Sequence, residues 1–225
     1  MTSILFQDFK ERSKEVSKYF FFLKNLEQGT IKLAMEGNGK QKIKEIDSEL
    51  IKTLKASTFL LLYNLVESTM RNAIEAIFDE LQSQGIPFDK IRPELKKIVL
   101  HNLKRRNPDK VFQKIVDISL DIIKAGFNKE ELFSGNIDAQ KIKTTAKEYG
   151  FSAKTKTDSS DLLTVKDNRN DLAHGIKSFA EVGKEKSADE LIEIKNKVVK
   201  YLRQILENIE IYIDNQEYLD STNIP

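Results

Sequence analysis

The sequence predicts an all-α protein. Apolar residues recur at spacings of three, four or seven through most of the 225 residues, which is the period of an amphipathic helix. Glycine and proline are scarce, at nine and four residues, and the alternating pattern of β-strands is nearly absent. The chain has no cysteine, which excludes disulfides and cysteine-ligated metals and favours a reducing compartment. Its two histidines are too few for a histidine-rich metal site.

Seven helices are predicted from apolar spacing and from helix start and stop residues. They cover about residues 5–26, 46–83, 93–105, 110–124, 138–149, 161–174 and 187–214. The first two carry apolar lines at helical spacing: Phe9, Val16, Phe20 and Leu23, then Leu54, Leu61, Leu65, Ile74, Ile77 and Leu81. Gly85 and Pro87 end the second helix, and Pro93 suits the first turn of the third.

The later helices are identified mainly by their ends. Val111, Ile115, Ile118 and Ile122 share a face of the fourth helix, which Gly126 caps. Asp138 is a suitable N-cap for the fifth helix, and Gly150 stops it. Ser159 or Ser160 can begin the sixth, which ends before Gly175. Ser187 and Glu190 have capping-box spacing at the start of the seventh, whose apolar line is Leu191, Ile194, Val198, Leu202, Ile205, Ile209 and Tyr212.

Three regions follow from these elements: an N-terminal helical extension over 1–45, a helical domain over 46–214 and a flexible tail over 215–225. The N-terminus lacks the charged and apolar blocks of a secretory signal, and the apolar run 59–63 is far shorter than a membrane span. We therefore expect a soluble cytoplasmic protein with no membrane partner.

Charge is unevenly distributed although the 37 basic and 35 acidic residues leave a net charge of only +2. The charged residues of 90–110 are mostly basic, and all charged residues after Arg203 are acidic. A near-neutral total does not by itself indicate a nucleic-acid-binding protein. Lys104, Arg105 and Arg106 are candidate contacts to an RNA backbone, and a solvated helix end is the alternative.

The stretch 166–175 carries the most chemical information. Asn170 and His174 are four residues apart and share a helix face, and the long Arg169 side chain can reach back toward them. His174 stands in the last turn before Gly175, where the helix dipole favours the imidazolium form. An imidazole there suits acid–base work, and an arginine fork suits a phosphate. Ordinary capping of a helix C-terminus is the alternative interpretation.

Arg169-Asn170, three residues and His174 match the Arg-polar-x-x-x-His motif of HEPN domains. Further stretches resemble one prokaryotic HEPN branch that is linked with toxin–antitoxin and phage-defence loci. These stretches are 133–143, 149–151, 165–175, 178–183 and 201–202, and the resemblance spans roughly 58–212.

The resemblance implies a HEPN-type helical bundle that pairs as a two-fold homodimer with a composite cleft between the motif helices. It implies a metal-independent endoribonuclease that needs no cofactor and that is often a toxin silenced by a cognate antitoxin or defence partner. On RNA, His174 would be the acid–base group, Arg169 the phosphate clamp and Asn170 the group that orients them. Tyr63 and Glu67 are supporting candidates, although Glu67 and Arg71 have the spacing of a surface ion pair.

Several assignments stay open at this level. Lys166 is a further candidate contact to RNA, Asn136 and Asp138 are interpreted first as turn and cap, and His101 is not expected to be catalytic. A non-catalytic module that binds a nucleotide, an RNA or a protein is the main alternative function. A third possibility is a component that is active only beside a separately encoded partner.

Overall fold

Helices form most of the chain in a computed structural model, which describes residues 4–37, 40–105, 126–129, 132–133 and 135–220. In chain order the elements are α1 Ile4–Glu27, β1 Leu33–Gly37, β2 Lys40–Lys44, α2 Ser48–Ser83, a 3-10 turn Phe88–Lys90, α3 Pro93–Arg105, α4 Ala139–Tyr149, α5 Ser160–Ala173, α6 Phe179–Gly183 and α7 Ala188–Asp214. The all-α prediction is confirmed. The helix predicted at 110–124 lies outside the described residues. Within the described ranges, no helix combines the length and the apolar character that a membrane crossing requires.

The 36-residue helix α2 is the centre of the bundle, and α1, α5, α6 and α7 all pack against it. It is buried on several sides because its neighbours surround it, and even Thr58 and Thr69 are almost inaccessible to solvent. The predicted apolar line of α7, from Leu191 to Tyr212, is buried along its whole length. Ser187 and Glu190 form the predicted capping box at its start.

Helix α1 belongs to the same hydrophobic core as α2 and α7, and all four members of its predicted apolar line are buried. It runs antiparallel to α2: Tyr19 Oη donates to the Leu54 carbonyl at 2.7 Å, and Asn72 Nδ2 donates to Asp8 Oδ2 at 2.8 Å. The predicted division of the chain at residue 45 stays a prediction, but α1 is packed rather than free.

Three short elements were not predicted. Strands β1 and β2 pair antiparallel, from Leu33 opposite Lys44 to Gly37 opposite Lys40. Five residues a strand are too few to show a clear alternating apolar pattern, and three of the five residues of β2 are lysines. Helix α6 is also only five residues long, and its sequence signal is a capping box between Ser178 and Glu181.

The segment 215–220, predicted to be flexible, packs against the start of α3. The Tyr218 side chain is fully buried. The Arg92 N–H donates to the Tyr218 carbonyl at 2.8 Å, and the Asp220 N–H donates to the Lys90 carbonyl at 2.9 Å. The buried Tyr218 side chain therefore holds this segment in place. Exposing it to water would cost more free energy than the segment would gain in conformational entropy by becoming disordered.

Candidate functional site

Helix α5 carries the motif, and its two sides differ in burial. Leu162, Val165, Asn168 and Leu172 face the core. The opposite stripe, at helical spacing, contains the exposed residues Leu163, Asp167 and His174 and the half-buried Asn170. Arg169 lies between the two sides and is also half-buried. The predicted shared face of Asn170 and His174 thus points away from the core.

The Arg169 side chain turns toward the body of the protein. Its guanidinium carbon lies 4.4 Å from the centroid of the Tyr63 ring, in a cation–π contact. Its Nη1 donates to the Gly135 carbonyl at 3.3 Å and to Asn170 Oδ1 at 2.9 Å. Within the described part of the chain, Nη2 and Nε have no partner, and no carboxylate pairs with this cation. Arg169 is therefore held in place, and its Nη2 and Nε donors and its positive charge are available to bind an anion.

Residues 135–138, which we call the clamp segment, are each bonded to a side chain of α2 or α5. The bonds are Arg169 Nη1 to the Gly135 carbonyl (3.3 Å), Asn170 Nδ2 to Asn136 Oδ1 (3.4 Å), the Ile137 N–H to Tyr63 Oη (3.2 Å) and Lys166 Nζ to Asp138 Oδ2 (2.6 Å). Three of these bonds come from about one turn of α5, from Lys166, Arg169 and Asn170. One helix face therefore binds most of the clamp segment. The segment fixes Arg169 and Asn170 relative to α2.

Gly135 suits the backbone conformation of the clamp segment. Its φ of 77° lies in the left-handed region, where a side chain is strained. A Cβ atom there would lie 3.4 Å from Arg169 Nη1, which is ordinary van der Waals contact. The turn, and not the neighbouring guanidinium, is therefore what favours glycine at this position.

Tyr63 is buried, and its hydroxyl accepts the Ile137 N–H while its ring supports Arg169. Burial is the largest cause of a pKa above the ordinary value for tyrosine, so the phenol stays neutral at physiological pH. Tyr63 thus acts on the motif as a support. The sequence named Tyr63 as a supporting candidate but gave no sign of its contact with Ile137, which is 74 residues away.

Glu67 lies one turn after Tyr63 on α2 and pairs with Arg71 at 2.6 Å, as the spacing predicted. Arg71 Nη1 also donates to the Lys129 carbonyl at 2.5 Å. Glu67, Tyr63 and Arg169 line one cleft of about 520 Å3. The structure therefore brings both supporting candidates to the arginine of the motif.

His174 is the C-cap residue of α5, and its backbone N–H donates to the Asn170 carbonyl at 3.0 Å. Its side chain is exposed and makes no hydrogen bond to any residue that the structure describes. The expected return of Arg169 toward the histidine does not occur within one chain, since the guanidinium instead contacts Tyr63 and Gly135. One chain therefore presents the arginine and the histidine on adjoining but different surfaces.

The basic candidates have different environments. Lys166 is mostly buried in its ion pair with Asp138, at 19% and 15% exposure. Asp138 also caps α4 as predicted, because its Oδ1 accepts the Lys141 N–H at 2.9 Å. Lys104 lies exposed near the end of α3, whereas the Arg105 side chain and Arg106 lie outside the described residues.

No metal cage is found where the structure describes the chain: no three histidine, cysteine or carboxylate side chains come together there. His101, the other histidine, is exposed on α3.

A helical bundle with an Arg-polar-x-x-x-His motif at the exposed end of one helix is the arrangement of HEPN proteins. The family model HEPN_MAE_28990-like HEPN matches residues 1–218, so the chain belongs to this HEPN family. The match includes α1 as well as the motif, and membership points to a nuclease or RNA-related module. The comparisons with curated proteins and with solved structures found no match.

Proposed function

We propose that the protein is a metal-independent endoribonuclease that cuts RNA at a composite site between two copies of α5. The observation that carries this proposal is the different environment of the two charged or titratable residues of the motif, Arg169 and His174. Arg169 is fixed by Tyr63 and the clamp segment yet has unpartnered donors among the described residues, and His174 stands exposed on the adjoining surface. A fixed cation can stabilise the charge of a phosphorane, and an accessible imidazole can transfer the proton that phosphodiester cleavage needs.

In the proposed reaction the 2′-oxygen of RNA forms a bond to the neighbouring phosphorus. One His174 accepts the proton of the 2′-hydroxyl. The bond from phosphorus to the 5′-oxygen breaks, and the His174 of the second copy donates a proton to that oxygen. The products are a 2′,3′-cyclic phosphate and a 5′-hydroxyl, and Arg169 stabilises the charge on the phosphorane. Asn170, which accepts from Arg169, keeps the guanidinium oriented.

Pairing of two copies would bring together the Arg169 and His174 side chains that one chain keeps apart. The outer stripe of α5 carries Leu163, which is 49% exposed. Ile176 is 70% exposed just beyond His174, and Phe179 is 37% exposed at the start of α6. Exposed apolar side chains beside the motif favour burial against a partner. Two-fold pairing on this stripe would bring two histidines and two arginines together.

We further propose that the enzyme acts in the cytoplasm as the effector of a toxin–antitoxin or phage-defence system, held silent by a cognate antitoxin or defence partner. The support is the resemblance of the stretches around the motif to that HEPN branch. Cell growth on induced expression is the readout for this role.

The test uses purified protein, single-stranded RNA and EDTA, with the ends of the products analysed. The parent should cut RNA and leave 2′,3′-cyclic phosphate ends, and DNA of the same sequence should stay intact because it lacks the 2′-hydroxyl. His174→Ala or Arg169→Ala should lower the rate by about 10²–10⁴-fold and remove toxicity. His101→Ala is the matched control, since it removes the other exposed histidine, and it should cut like the parent.

A separate variant tests the proposed pairing of two copies through α5. Leu163→Glu places a charge on the outer stripe at a position that the core does not use. We expect this variant to be monomeric by light scattering, folded by circular dichroism and inactive on RNA. A monomeric variant with full activity would rule out the composite site.

One observation favours the alternative of a non-catalytic binding module: the side-chain contacts of Arg169 and Asn170 in one chain do not include His174. A module of this kind would bind RNA equally well as parent and as His174→Ala, and neither would produce cyclic-phosphate ends.

A further inference from the structure

A groove runs along one face of α2, beside the motif but distinct from it. Its α2 residues form two adjacent lines with a spacing of four, as one helix face requires, and they are Leu60, Asn64, Ser68 and Asn72 beside Tyr63, Glu67 and Arg71. The twelve helical steps from Leu60 to Asn72 give the groove a length of about 18 Å. Arg12 of α1 lines it, and Lys129 and Arg169 line it from other parts of the chain.

Four cationic side chains line the groove, namely Arg12, Arg71, Lys129 and Arg169, and Glu67 is the carboxylate that lines it among the described residues. Three of these cations are paired, Arg12 with Asp8, Arg71 with Glu67 and Lys129 with Glu75. Asp79 also acts electrostatically on Lys129. Arg169 has no carboxylate partner in the described ranges, so the uncompensated positive charge of the groove lies at Arg169.

Arg12 has the geometry of an anion-binding group. Its Nε donates to Asp8 Oδ1 and Oδ2 at 3.0 and 2.8 Å, which fixes the plane of the guanidinium. Neither Nη group has a partner among the described residues, and the side chain is 42% exposed. Four N–H donors are therefore available on a cation that is already oriented, which lowers the entropic cost of binding a phosphate.

The groove is long enough, and its polar groups are spread widely enough, to bind a single nucleic-acid strand rather than one small anion. Arg169 lies over the ring of Tyr63, and Arg71 lies two turns further along α2. Asn64 and Ser68 provide uncharged polar groups between them. Cations spread along a channel with hydrogen-bonding groups in between are the arrangement by which proteins track a single-stranded backbone without reading its sequence.

We propose that this groove binds the ribose-phosphate backbone of the RNA strand next to the scissile bond, with Arg12 as a phosphate contact remote from the chemistry. The proposal rests on the proposed function for its substrate class. It gives α1 a role in substrate binding and makes the groove a continuation of the motif surface.

The test measures binding separately from cleavage. The probe is a short fluorescent single-stranded RNA with every 2′-hydroxyl methylated, so that it cannot be cut by 2′-oxygen attack. Its affinity is measured by anisotropy over a range of salt concentrations. Arg12→Gln should weaken binding several-fold and reduce the slope of log K against log salt by about 0.7, the value for one phosphate contact on a single strand.

The matched control is Lys14→Gln, which removes one positive charge from the exposed side of the same helix outside the groove. It should bind like the parent. Arg12→Lys keeps the charge without the fork, so we expect it to recover the salt slope but only part of the affinity. Thermal unfolding of each variant confirms that the fold is retained.

The outcomes separate this proposal from the proposed function. Equal binding by Arg12→Gln and Lys14→Gln overturns the groove even if the parent cuts RNA. A parent that binds the probe through Arg12 but never cuts RNA supports the groove and removes the ribonuclease. If the parent does not bind the methylated RNA even at low salt, the proposal that the groove binds RNA is wrong. Binding of an acidic protein that depends on Arg12 would then identify the groove as a protein-binding surface.

Discussion

Lys166 is expected to stabilise the fold rather than contact RNA, and its replacement tests this directly. Its Nζ lies 2.6 Å from Asp138 Oδ2, and both side chains are mostly buried. The other carboxylate oxygen of Asp138 caps α4 through the Lys141 N–H. Lys166→Met removes the charge but keeps an apolar stem of similar length. It leaves the Asp138 carboxylate partly buried and without its cation.

The size of the effect follows from the burial of the pair. Exposed pairs contribute about 0–1 kcal/mol, whereas breaking a fully buried pair costs about 3–5 kcal/mol. At 19% and 15% exposure, Lys166→Met should cost about 2 kcal/mol. Asp138→Ala also loses an N-cap contribution of about 1 kcal/mol and should cost about 3 kcal/mol. In a chain of this size these losses lower Tm by about 4–8 °C and 6–12 °C.

The pH dependence has a defined direction. Burial raises the pKa of the Asp138 carboxyl, but the hydrogen bonds from Lys166 and the Lys141 N–H outweigh it, so the pKa lies below its usual value. The stabilisation is therefore fully present above the unfolded pKa of about 3.9 and is lost as pH falls through the lower folded value. Parent and Asp138→Asn should differ at neutral pH, and the difference should begin to shrink only as the pH falls below about 4.

Thermal unfolding followed by circular dichroism measures stability, and the methylated RNA probe measures binding. Lys200→Met is the control, because Lys200 is exposed on α7 and has no ion pair among the described residues. A Lys166→Met protein that unfolds with the parent but shows a smaller salt slope would refute the reasoning and make Lys166 an RNA contact.

Two further predictions concern close contacts around the bundle. Tyr63→Phe keeps the ring over Arg169 but leaves the buried Ile137 N–H without its acceptor, so it should cost about 1–3 kcal/mol and lower kcat more than it raises KM; an unchanged Tm would contradict this bond. Gly183→Ala should destabilise by about 1–3 kcal/mol or more, because a Cβ there would overlap the Lys52 backbone carbonyl. Denaturant unfolding measures it, and wild-type stability would contradict the close approach of α6 to α2.

The long helices were predictable because their signals are local. Apolar spacing depends on neighbours three and four residues away, and it identified α1 and α7 together with their buried faces. It also identified α2, although Leu54 and Leu61 of the predicted line are only partly buried. Caps are equally local, and both Asp138 and the pair Ser187–Glu190 act as predicted. The β1–β2 hairpin and α6 escaped prediction because five residues hold too little of either period.

The sequence by itself determined the motif residues, their helix and the fact that Asn170 and His174 share one of its faces. Only the tertiary structure decided that Arg169 lies over Tyr63, that the clamp segment holds it, and that Lys166 is paired with Asp138. Helical periodicity reports which residues share a face within one helix. It carries no information on which face of α2 meets α5, since that depends on the packing of side chains far apart in the chain.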